Sequence, residues 1–119
     1  MDFERAIDYH VQWKTRLNKY VIGLSTENLQ AADVSRVDAC LLGQWIKQKA
    51  KCLSHLPSFP QLVIDHSKFH ACAGDIVTNV DLAHIKKAKA LLSGTFLKLS
   101  KEVVQAIRKV EKESTLEDK

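Results

Sequence analysis

The side chains in this chain best suited to chemistry are His10, Cys40 and the pair His66 and His70, set four apart in His-Ser-Lys-Phe-His. Residues at that spacing on a helix lie one above the other on the same face, so both imidazoles can reach one ion. A histidine and a cysteine from earlier segments complete a tetrahedron of imidazole nitrogen and thiolate sulfur, the donor set that suits Zn2+. Four protein ligands leave no coordination position for a substrate water. That favours a structural or sensory metal over a catalytic one.

The other reactive residues point elsewhere. Cys52-x-x-His55 is half of a zinc motif whose second half is absent, and a surface or loop position is expected for it. Cys72 stands two residues beyond His70, hence on another helix face, and reads as a small buried residue. His84 lacks an obvious partner and is expected in solvent. A di-iron enzyme in a helical bundle would need several carboxylates, typically in Glu-x-x-His motifs, and the matching positions carry none, so no catalytic activity is expected. Lys86, Lys87, Lys89, Lys98 and Lys101 lie among Leu and Ala without interleaved aromatics. They read as a solvated helix face, and no nucleic-acid partner is expected.

Two prolines and four glycines, with long stretches of period near 3.6, predict an all-α chain. A first helix is expected after Asp2 as N-cap, ending near Val21 or Ile22 at Gly23. Its apolar face carries Phe3, Ile7, Leu17, Val21 and Leu24, and His10 falls on it. An imidazole pointing into a core needs a polar partner or a metal. Residues 25–36 are polar and small and read as a loop or a frayed turn. A second helix runs from about Val37 or Asp38 to Lys51, with Cys40 in its first turn, where the positive end of the helix dipole favours a thiolate. Pro57 and Pro60 bracket the next turn, and a third helix is expected from about Phe59 to Asn79, with Leu62, His66, Phe69, His70, Ala73, Ile76, Val77 and Val80 inward. Asp81 is the expected N-cap of a long fourth helix reaching Lys112, with Ile85, Ala88, Leu92, Phe96, Leu99, Val103, Ile107 and Val110 as its stripe. Gly94 falls within it and reads either as a close crossing in a dimer or as a tolerated surface defect. Four such helices make a four-helix bundle with a zinc site in its core, built from facing helices.

The length of 119 residues is enough for one domain with its own core. Residues 1–113 are assigned to the bundle and 114–119 to a frayed, charged tail. No apolar run approaches the ~20 residues that cross a bilayer, and Met-Asp-Phe-Glu-Arg is not a secretory signal. A cytoplasmic location with reduced thiols is expected, in keeping with an odd count of three cysteines.

Three blocks occur in order: His10-x-x-Trp13-Lys14, Cys40-Leu41-Leu42-Gly43-Gln44-Trp45 and His66-x-x-Phe69-His70. Together they resemble the bacterial chemoreceptor zinc-binding (CZB) domain family, over about Ala6 to Ala73, departing at Gln44, where a basic residue is usual. The resemblance implies that His10, Cys40, His66 and His70 bind one zinc ion. It also implies a regulatory role: such domains are fused to soluble chemotaxis receptors or diguanylate cyclases that respond to zinc and, in some members, to oxidants. Some members dimerise through the bundle, so a homodimer is expected here. The alternative is a passive, zinc-stabilised dimerisation or interaction module.

Overall fold

A computed structural model describes residues 3–117. Helix α1 spans Phe3–Val21, α2 Ala31–Val34, α3 Leu41–Leu53, α4 Phe59–Asp81, α5 Ile85–Ser93 and α6 Thr95–Glu117, with a 3-10 turn at Val37–Ala39 before α3. No strand occurs among the described residues. The bundle is elongated, 52 × 22 × 19 Å, and α4 packs against every other α-helix. The expected N-cap Asp2 lies outside the described residues.

Amphipathic period explains the core. α4 buries Leu62, His66, Phe69, His70, Ala73, Ile76 and Val77, while α6 buries Phe96, Val103, Ala106, Ile107 and Val110. α1 ends in the αL turn that glycine permits: Gly23 has φ 80°, and Gly23 and Leu24 donate to the carbonyls of Tyr20 and Lys19. Because this turn redirects the chain, Leu24 leaves the apolar face expected for it and is 71% exposed.

Three sequence expectations are corrected. The stretch 25–36 is not all loop, since α2 covers Ala31–Val34. Asp81 does not cap the next helix; it is the last residue of α4 and accepts a hydrogen bond from the Tyr20 hydroxyl at 2.6 Å. The long fourth helix is two, because Gly94 (φ −112°, ψ −94°) leaves helical geometry and Ser93 Oγ donates back to the Lys89 carbonyl. A serine competing for backbone acceptors beside a flexible glycine is a natural place for a helix to break.

α6 continues beyond Lys112 to Glu117. Its last turns are held by side chains: Glu113 accepts hydrogen bonds from the backbone N–H and hydroxyl of Ser58, and Glu117 accepts one from His55 Nε2 at 2.7 Å. Five residues before Glu113 on the same helix, Arg108 pairs with Glu4 near the start of α1. No helix among the described residues is long and apolar enough to cross a membrane.

Candidate metal centre

Cys40 is the N-cap of α3, not a residue within its first turn. Its backbone is extended (φ −113°, ψ 159°), and Gly43 N–H donates to Sγ at 3.2 Å. The sulfur thus takes the place of the capping oxygen that Ser or Asp supplies elsewhere. Gly43 is required by space: a Cβ built there would lie 1.6 Å from the Val37 carbonyl oxygen and 3.3 Å from His66 Cε1. The 3-10 turn, the start of α3 and the His66 ring therefore meet around one missing side chain.

One turn apart on α4, His66 and His70 face that sulfur. His66 Nε2 lies 3.4 Å from Cys40 Sγ and His70 Nε2 3.2 Å from it. The two rings are perpendicular, with centroids 4.5 Å apart. Cys40, His66 and His70 each offer a donor atom within 4.8 Å of the other two, and all three are buried. His70 Nδ1 is 2.8 Å from the Val34 carbonyl. A carbonyl only accepts, so the His70 proton is on Nδ1 and the Nε2 lone pair faces the sulfur. Metal-binding histidines are oriented in this way, by donating their other ring N–H to a carbonyl or carboxylate.

His10 lies beside this group. Its ring packs on Phe69, with centroids 4.2 Å apart, and it is 1% exposed. It is not among the donors lying within 4.8 Å of one another. Nε2 is 2.9 Å from Ser100 Oγ on α6, and Nδ1 is buried without a partner. Trp13 stands edge-on to His70 at 5.5 Å, and the Arg16 guanidinium, paired with Glu27, covers the indole at 4.0 Å. Trp45 is 2% exposed and meets Phe3 edge-on at 5.3 Å. The remaining reactive residues stand apart: Cys72 is buried, Cys52 exposed, and His84 an exposed N-cap of α5.

Burial sets the protonation states. His66 is lowered to about 3, by burial first and then by the neighbouring His70 and His10. His10 is lowered to about 4, again by burial and then His70, with the backbone of Ser100 opposing. Burial also lowers His70, against the contact to Val34. All three imidazoles are therefore neutral at pH 7, as metal ligation requires. Burial raises the Cys40 thiol, while the N–H groups of Gly43 and Leu42 and the side chains of Trp13 and Arg16 pull it down. Near neutrality the proton that competes with a metal is the one on Cys40, not those of the histidines. Neutral imidazoles, an ionisable thiol and a buried nitrogen with no partner fit zinc in both chemistry and charge.

Sequence reasoning missed the groups that orient the donors. The Val34 carbonyl lies in the stretch read as loop, and a backbone group leaves no sequence signature. Ser100 did carry a signal. It falls four residues after Phe96 and three before Val103, a hydroxyl on the apolar stripe of α6.

No curated protein and no solved structure matches the chain. A family model does: that of the chemoreceptor zinc-binding domain, over residues 10–77. This span begins at His10, takes in Cys40, His66 and His70, and covers more than half of the chain. With a buried Cys-His-His cluster able to hold zinc, the chain belongs to the chemoreceptor zinc-binding domain family, whose members are regulatory zinc-binding domains of signalling proteins.

Proposed function

We propose that His10, Cys40, His66 and His70 together hold one zinc ion and that its occupancy controls the packing of a cytoplasmic signalling domain. The observation that carries this reading is the convergence of Cys40, His66 and His70 from two helices onto one buried point. His10 supports the fourth place, because its buried Nδ1 has no other partner. Zinc bound there supplies a divalent charge that compensates the thiolate and holds the donors of α1, α3 and α4 to one centre. The protein's own part is orientation and exclusion of water: Val34 sets the His70 tautomer, Gly43 N–H steadies the sulfur, and Trp13 and Phe69 close the sides.

Four protein ligands leave no open position, so the role is regulation and not catalysis. Cys40 is the only anionic donor of the set. Its oxidation to a sulfenic acid would weaken the site and link redox state to bundle packing. We infer that the output the chain controls is a chemotaxis receptor or a diguanylate cyclase, and a homodimer is the expected assembly. The deep burial of all four donors, none more than 5% exposed, also suits a passive, zinc-stabilised dimerisation module, and zinc affinity separates the two: a sensor must empty within the cellular range of free zinc.

The test is zinc competition against a chromophoric chelator, with oligomeric state measured in zinc and in chelator. One zinc per chain is expected, with Cys40→Ala and His70→Ala losing most of the affinity. Full, tight stoichiometric zinc in both variants refutes the four-ligand site.

A further inference from the structure

α6 contributes no candidate ligand, yet it makes the one side-chain contact that decides how His10 presents itself. His10 Nε2 lies 2.9 Å from Ser100 Oγ, ninety positions along the chain, and Nδ1 is buried with no partner. A neutral imidazole carries one proton, which leaves two arrangements. If Ser100 donates to Nε2, the proton sits on Nδ1 as a buried N–H without an acceptor, an arrangement that costs about 1–3 kcal/mol. If Nε2–H donates to Ser100 Oγ, Nδ1 is left with an unpartnered lone pair. Only the second arrangement leaves a loose end that a cation can satisfy.

We infer that Ser100 is a positioning residue for the zinc site, accepting the Nε2 proton of His10 so that Nδ1 is the atom that ligates the metal. The inference rests on the four-ligand reading above and assigns one atom and one further residue to it. His70 provides the internal precedent, because Val34 accepts its Nδ1 proton and leaves Nε2 toward Cys40. Ser100 does the same for His10 with the two nitrogens exchanged. Outer partners of this kind fix both tautomer and ring orientation. The serine hydroxyl, which can also donate, is a softer lock than a carbonyl, so the His10 tautomer becomes single only with the metal in place. α6 is thereby connected to the metal without supplying a ligand.

Protein labelled with nitrogen-15 in histidine and loaded with cadmium-113 tests the assignment directly. Metal–nitrogen coupling is expected at Nδ1 of His10 and at Nε2 of His70, with His10 Nε2 protonated. Ser100→Ala is expected to weaken zinc binding by about 10-fold, whereas Ser100→Thr, which keeps the hydroxyl, stays within about threefold of the parent. Circular dichroism of each variant controls for folding, and the nitrogen spectrum reads the tautomer whatever the stability. Coupling at Nε2 of His10, or unchanged affinity in Ser100→Ala, overturns the role of Ser100 while the four-ligand site stands. Coupling at His66 and His70 and none at His10 overturns both.

Discussion

Replacing Gly43 by Ala sets two physical effects against each other. In an exposed helix the change would stabilise by about 1 kcal/mol, because glycine is the poorer helix former. Here the added Cβ would sit 1.6 Å from the Val37 carbonyl oxygen and 2.7 Å from its carbon. Both are backbone atoms, so no rotamer change relieves the overlap. Either the 3-10 turn Val37–Ala39 or the first turn of α3 must move, and Cys40 lies between them. Overpacking of this kind costs about 1–3 kcal/mol, and loss of the Gly43 N–H contact to Sγ removes a helix cap worth about 1 kcal/mol. Set against the propensity gain, the net effect is a loss of about 2 kcal/mol in the metal-free protein. Urea unfolding in chelator measures it, and the competition assay should show weaker zinc binding in the same variant. If Gly43→Ala is as stable as the parent and binds zinc equally well, the close approach of Val37 and the placement of Cys40 by it are both wrong. Gly74→Ala is the comparison: its Cβ meets chiefly Ser35 Oγ, at 1.9 Å, an exposed hydroxyl that can rotate away, so the smaller loss is expected there.

Two further outcomes are expected. His10 and His66 have folded-state values depressed to about 4 and about 3, so the unfolded chain binds more protons below pH ~6.5. The stability they contribute is complete above that pH and falls toward pH 4 with a slope on the order of 2–3 kcal/mol per pH unit. Urea midpoints of the metal-free protein that stay flat from pH 7 to 5 would show that these rings are not buried neutral. Ala83 closes α4 in the αL region, with φ 63° and its N–H donating to the Val80 carbonyl. Ala83→Gly should therefore raise stability by about 1 kcal/mol, and a lower melting temperature would count against that turn.

Much of the bundle was legible in the sequence because its long helices carry long stripes. Leu62, His66, Phe69, His70, Ala73, Ile76 and Val77 recur by threes and fours and are all buried on α4. Short elements have no period to read, which is why α2, with four residues, passed for loop. The break at Gly94 was hidden because apolar residues keep their helical spacing across it. Asp81 looked like a cap from its neighbours alone, and only the fold brings Tyr20 to it. At the site, the four-residue spacing foretold that His66 and His70 share a face, but a cysteine acting as an N-cap has no pattern of its own. The orientation of His10 was beyond local reading, since it is decided by a residue ninety positions away.

The break at Gly94 gives α6 a fulcrum. Ser100 lies about 9 Å along the helix from it and Glu117 about 35 Å, at 1.5 Å per residue. A rigid α6 swivelling at Gly94 would turn a 1 Å displacement at Ser100 into about 4 Å at its far end. Glu113 and Glu117 clasp Ser58 and His55 there, so such a swing must either break those contacts or carry the turn between α3 and α4 along with it.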